Sequence, residues 1–135
     1  SYTRAGHILG SAFALVQTDA GRICFGGDLG RYGQSIIPDP TPVPQADWLL
    51  LESTYGNRDH QDVNVMQELE RLVRRAAEEK SWILVPSFAI GRAQELLYLL
   101  HTLWHDHGVP RIPIYLDGPM AVSAVPFFER HVADH

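Results

Sequence analysis

Apolar and polar positions change their period along the chain. Ser11–Thr18 alternates as a short strand, Asp19, Ala20 and Gly21 signal a turn, and Arg22–Phe25 reads as the returning strand of a hairpin. Gly26, Gly27, Asp28, Leu29 and Gly30 are too glycine-rich to continue a ladder. A polar loop then ends in prolines at positions 38, 40, 42 and 44, a stiff extended stretch. Asp47–Glu52 is an apolar run of strand length, which predicts a central strand buried on both faces.

From there the period becomes helical. Val65, Met66, Leu69, Leu72, Val73, Ala76 and Ala77 fall on one face, and Asn64 with Gln67 three residues on resembles a capping box. Trp82–Val85 predicts a strand closed by Pro86. Ala93, Leu96, Leu97, Leu100, Leu103, Trp104 and His107 stripe a second helix stopped by Gly108 and Pro110. Ile112–Leu116 predicts another strand. Pro119 suits the first turn of a third helix toward His131, which Pro126 would kink. Residues 47–131 thus read β-α-β-α-β-α, which implies right-handed crossovers and a parallel sheet. The hairpin before them cannot cover both of its faces by itself.

Composition narrows the class. In 135 residues, 11 basic and 16 acidic side chains leave a formal net charge of −5, and 45% of residues are hydrophobic. That balance excludes a disordered chain and argues against gripping nucleic acid by bulk charge. No apolar run reaches the length of a membrane span, and no secretory signal is visible. Cys24 is alone, so neither an intrachain disulfide nor a thiolate zinc finger is available. A reducing, cytoplasmic setting is expected. The chain starts at Ser1 without an initiator methionine and enters a Gly/His motif within a few residues, which reads as a piece of a longer protein.

Three polar residues stand where a bland fold has no need of them. His7 lies between Gly6 and Gly10, Asp28 follows the hairpin, and Glu52 ends the apolar run. Functional groups collect at the carboxyl ends of strands in parallel α/β sheets, and imidazole and carboxylate are zinc donors. Read singly, each is better taken as a loop residue bonded to nearby backbone, and their spacing alone is no zinc signature. Ser87 and Arg92 flank the turn into the second helix, whose N-terminus could accept a phosphate; simple capping by Ser87 is the plainer alternative. His101, His105 and His107 cluster with Asp106, but a solvated helix face explains them better than a metal pair. His131 and His135 read as solvated. Arg71, Arg74 and Arg75 are interleaved with glutamates as an ordinary charged surface. Cys24, between Ile23 and Phe25, reads as an inert core thiol.

Four motifs in order change the weighing: Ala5-Gly6-His7-Ile8-Leu9-Gly10-Ser11-Ala12, Gly27-Asp28, Glu52-Ser53-Thr54-Tyr55-Gly56, and Phe88-Ala89-Ile90-Gly91-Arg92-Ala93-Gln94-Glu95. Together they resemble the metallo-β-lactamase-fold RNA nucleases with a β-CASP domain, such as the cleavage and polyadenylation endonuclease and its bacterial homologues. The resemblance covers nearly the whole chain. It implies that His7 ligates one zinc, that Asp28 bridges two, and that Glu52 positions a later histidine acting as proton donor. The reaction it implies is hydrolysis of an RNA phosphodiester by a di-zinc-activated hydroxide. RNA rather than DNA is implied by Glu52, where the DNA-repair branch usually has aspartate.

The resemblance also implies a division. Residues 1–58 would be the C-terminal part of the lactamase-like half, and residues 59–135 the N-terminal part of the β-CASP-like domain. The family's upstream His-x-His-x-Asp-His cluster and its downstream histidines are absent, so this chain would bind zinc weakly or not at all and be inactive alone. RNA is the expected partner of the parent enzyme, no membrane is expected, and cut sheet edges predict a homo-oligomer. Two other readings are a catalytically silent structural or interaction module of the same fold and an unrelated nucleotide-binding α/β domain.

Overall fold

In a computed structural model, residues 1–59 and 63–134 are described. The chain is mixed α/β. Its described residues carry four strands, β1 (Tyr2–Arg4), β2 (Ala12–Thr18), β3 (Gly21–Phe25) and β4 (Trp48–Leu50), then three helices, α1 (Val65–Glu79), α2 (Arg92–Asp106) and α3 (Pro119–Arg130), and a 3-10 turn at Val132–Asp134. It forms two compact units, one of residues 1–59 with 128–135, the other of residues 60–127.

The first unit is built on one sheet in the order β1-β2-β3-β4. The hairpin forms as its turn chemistry predicts: β2 and β3 pair antiparallel, with Leu15 opposite Cys24 and Thr18 opposite Gly21. The Thr18 hydroxyl accepts the Ala20 amide and donates to the Gly21 carbonyl, which closes the turn. β1, three residues long and without a periodicity of its own, adds antiparallel to β2. β4 joins β3 in parallel, with Cys24 opposite Leu49. Its entry is fixed by Asp47, whose carboxylate accepts the Arg22 amide at 2.8 Å while its own amide donates to the Arg22 carbonyl at 2.9 Å.

The hairpin and the Asp47–Glu52 run therefore share one sheet rather than lying apart. Burial of that run on both faces is also corrected. Trp48, Leu49, Leu50 and Leu51 are each about half exposed or more, because β4 is an edge strand of this sheet. Ala5, Phe13 and Cys24 form the buried core beneath the sheet, and Cys24 has no exposed surface. Ile36, Ile37 and Phe128 form a second cluster in the same unit.

The second unit is helical. α1 starts where the capping signal places it: the Asn64 side chain accepts the Gln67 amide at 3.1 Å. α2 ends at His107 and Gly108, the latter at φ 58, where a residue without Cβ is unstrained. Val73 of α1 meets Leu100 and Leu103 of α2 and Val109 in one buried cluster. Pro119 opens α3, and Pro126 lies inside it.

The two later strands do not form. Trp82–Val85 and Ile112–Leu116 enter no ladder among the described residues. Their alternation survives in burial: Ile83 and Ile112 turn onto the α1–α2 cluster, while Trp82 (88% exposed) and Leu84 (92%) face outward. The two segments meet through the Trp82 and Tyr115 rings, 6.5 Å apart, but they form no backbone ladder among the described residues. The parallel β-α-β-α-β-α arrangement is thus reduced to one parallel pair, β3 with β4.

Candidate active site

Three loops of the first unit close on one stretch of backbone, Asp28-Leu29-Gly30. The loop after β1 brings His7. Its amide and that of Ile8 both donate to the Ser11 hydroxyl, at 2.9 and 3.2 Å, so the chain folds over on itself between Gly6 and Gly10. The loop after β3 brings Asp28, and the end of β4 brings Glu52. The Gly30 amide donates to the Ala5 carbonyl at 2.9 Å, which ties the first two loops together. Gly30 packs so closely on the Gly6 carbonyl that no Cβ could be accommodated there. Gln34 adds a second tie, its side-chain amide donating to the Gly6 carbonyl at 2.5 Å.

Within this frame His7 Nε2 faces Asp28 Oδ2 at 3.9 Å. His7 Nδ1 lies 3.3 Å from the Leu29 carbonyl oxygen. A carbonyl can only accept, so this contact requires the proton on Nδ1, and in the neutral ring the Nε2 lone pair then faces Asp28. The Leu29 amide in turn donates to Glu52 Oε1 at 2.6 Å, and the Thr54 hydroxyl donates to Glu52 Oε2 at 2.6 Å. These bonds hold the Glu52 carboxyl below its ordinary pKa. The Thr54 hydroxyl contributes most, then the Leu29 amide; desolvation opposes them, and the charge of a protonated His7 assists.

The donor set suits part of a zinc site. Imidazole nitrogen held by a carbonyl on its far side, facing a carboxylate oxygen, is the posture of a metal-ligating histidine. Zinc donors at about 2.0–2.2 Å place two ligands of a tetrahedral ion about 3.3–3.6 Å apart. At 3.9 Å, His7 and Asp28 are open by only a few tenths of an ångström. They supply two donors, and no group of three or more His, Cys, Asp or Glu is placed to hold a metal ion among the described residues.

The other candidates stand apart from this constellation. Ser87 and Arg92 lie in the second unit; both are exposed, with Ser87 donating to the Phe88 carbonyl at 3.3 Å and Arg92 lying 3.9 Å from Glu95. Ser87 does not cap α2, whose N-cap is Gly91. Instead the buried Gln94 side chain accepts the Gly91 amide at 2.8 Å and donates to the Ala89 carbonyl at 3.0 Å. The His101 and His105 rings lie 4.5 Å apart, tilted by 48°, on an exposed face of α2. His107 reaches Glu70 at 3.4 Å instead of joining them. Arg71, Arg74 and Arg75 each pair with a glutamate of α1. His131 lies 3.4 Å from Asp134, and His135 lies outside the described residues. No described helix is long and apolar enough to cross a membrane.

The contribution of Thr54 and of the Leu29 backbone is not evident in the sequence. A backbone amide leaves no signature there; a hydroxyl two residues after Glu52 is the one signal available.

The resemblance read from the sequence is borne out by comparison with known proteins. Residues 93–135 match the Beta-Casp domain. The chain is 39% identical over 133 residues to "Ribonuclease TTHA0252" of Thermus thermophilus, covering 98% of this chain and 30% of that protein. It is 32% identical over 127 residues to an "RNase J-like protein" of Methanocaldococcus jannaschii, covering 88% of this chain and 29% of the relative. It is 30% identical over 131 residues to "Cleavage and polyadenylation specificity factor 73" of Drosophila melanogaster, covering 95% and 19% respectively. The chain thus spans less than a third of the length of each of these relatives.

Proposed function

We propose that this chain, a partial chain of a β-CASP RNA nuclease, carries one portion of a zinc-dependent RNA phosphodiesterase site. The observation that carries the reading is the convergence of His7, Asp28 and Glu52, from three separate loops, on the backbone of Leu29 and its neighbours. The names of the relatives, ribonucleases and a cleavage factor among them, support RNA as the substrate class. In this reading residues 1–58 belong to the lactamase-like half and residues 59–135 to the start of the β-CASP-like domain.

Each residue has a task its chemistry allows. His7 Nε2 and the Asp28 carboxylate would hold zinc. When bound, the ions supply Lewis acidity toward a phosphoryl group and lower the pKa of water. The Glu52 carboxylate accepts more bonds than the ones it makes here, so it can hold a protonated group beside the leaving oxygen. Ser87 and Arg92 are the proposed phosphate contacts of the second unit.

Two donors are short of the four that a closed zinc site takes, so the remaining ligands come from elsewhere in the parent protein, and the isolated chain is silent as an enzyme. The nucleotide-binding alternative loses ground because Gln94 occupies the Gly91 amide. The test is RNA hydrolysis and zinc content of the full-length parent. Asp28→Ala is expected to abolish cleavage and lower zinc occupancy. A fully active Asp28→Ala enzyme overturns the reading.

A further inference from the structure

Glu52 is held on both of its oxygens, by the Leu29 amide and the Thr54 hydroxyl, with the Thr54 amide also bearing on the carboxylate. The Leu29 amide takes Oε1 and the Thr54 hydroxyl takes Oε2, both at 2.6 Å. One bond leaves a carboxylate free to rotate about its last torsion; two bonds on opposite oxygens fix its plane. The donors differ in kind. Leu29 is backbone and is already committed by its place in the loop. Thr54 is a side chain two residues downstream and exposed at the surface. Neither packing nor sheet pairing requires its hydroxyl.

We infer that Thr54 is the positioning residue for Glu52: its hydroxyl fixes the carboxylate in the orientation in which Glu52 can hold a proton donor against the substrate. An ionised carboxylate accepts only, so Thr54 must donate, and the bond is lost in this form when the carboxyl takes up a proton. The same bond is the largest of the influences that depress the Glu52 pKa, so orientation and charge are set together. Without this bond the carboxylate keeps only backbone donors and takes up a proton more readily. Thr54 itself touches neither the metal ligands nor the reacting atoms; it acts through Glu52. This inference rests on the function proposed above.

The experiment compares Thr54→Val and Thr54→Ser in the full-length parent enzyme. Valine keeps the shape and removes the donor; serine keeps the donor and removes the methyl. Thr54→Val is expected to lower kcat by about 10- to 100-fold, the range for groups that orient a functional residue, with KM and zinc content unchanged. It is also expected to move the acid limb of the kcat–pH profile upward. Thr54→Ser is expected to restore both. Equal activity and an unmoved acid limb in Thr54→Val overturn the inference, as does a serine variant as impaired as the valine one. A second measurement separates this failure from failure of the functional reading. Carboxyl-carbon NMR of Glu52 in this chain is expected to show a higher titration midpoint in Thr54→Val than in the unmodified chain. An unchanged midpoint overturns the inference whatever the parent's activity, whereas a raised midpoint alongside a fully active Asp28→Ala parent sinks the nuclease role and leaves the Thr54–Glu52 coupling standing.

Discussion

Glu52 accepts the Leu29 amide at 2.6 Å across 23 positions of sequence, and this one bond joins the end of β4 to the loop that carries Asp28. Leu29 also receives His7 at its carbonyl, so a single residue's backbone links the three candidate site residues. Their geometry is therefore expected to respond as a unit.

The first consequence is a pH dependence. Glu52 sits below its ordinary value of 4.5, held there first by the Thr54 hydroxyl and then by the Leu29 amide. A depressed native pKa contributes stability that is full above the unfolded value and is lost as pH falls through the native one. The Leu29 amide proton is expected to move as the pH falls through the depressed Glu52 value. In Glu52→Gln the movement should vanish. A Leu29 amide that titrates identically in both proteins would place the cause elsewhere.

Gly30 is the second test of the frame. Any Cβ there runs into the Gly6 carbonyl, and backbone cannot move aside as a flexible side chain can. Gly30→Ala is expected to destabilise the first unit by about 1–3 kcal/mol or more and to separate His7 from Asp28. Denaturant unfolding followed through the hairpin's amide signals measures the first. Gly33→Ala is the comparison, since a Cβ at Gly33 meets open space although its φ of 69 is itself unfavourable for alanine. Gly30→Ala should be the worse of the two.

The helical unit should follow local rules. Leu103 is fully buried between α1 and α2, so Leu103→Ala is expected to cost about 2–5 kcal/mol. Asn64→Ala removes the cap on Gln67 and is expected to cost about 1 kcal/mol. Thermal melts of the two variants should rank in that order.

What was legible in the sequence follows the range of the interactions. Asn64, the stripe from Ala93 to Trp104, and the Gly108 stop depend on neighbours three or four residues away, and α1 and α2 form where those signals place them. The turn at Asp19 and Ala20 is equally local. β1 was missed because three residues carry no period. Trp82–Val85 and Ile112–Leu116 have the right side chains for strands, but a ladder depends on a partner that the segment itself cannot specify. At the site, His7, Asp28 and Glu52 were legible through motif resemblance, not through spacing. Their common anchor on the Leu29 backbone was not, because hydrogen bonds to main chain are indifferent to the side chain that carries them.

Metal binding by the chain alone is the fourth test. His7 and Asp28 offer two donors, and their side chains are 43% and 76% exposed, so water competes for both positions. Zinc is expected to wash out on dialysis against a mild chelator. Stoichiometric zinc surviving that treatment, and lost in His7→Ala, would mean that this chain closes a site by itself.

The last expectation concerns assembly. β4 pairs with β3 along one edge only, and it exposes Trp48, Leu49 and Leu50 beside Leu51. An edge strand with apolar, uncharged side chains offers unpaired amides and carbonyls to any strand that meets it. The strand most available in a solution of this chain is β4 of a second copy, and two such edges can pair symmetrically about a twofold axis. Net charge of −5 slows the encounter but hides none of this surface. Light scattering across a concentration series is expected to rise from a 15.1 kDa monomer toward twice that mass. Leu49→Lys, which puts a charge on the edge, is expected to hold the chain monomeric. A monomer at every concentration in the unmodified chain would mean that the exposed edge is too short, at three residues, to support pairing on its own.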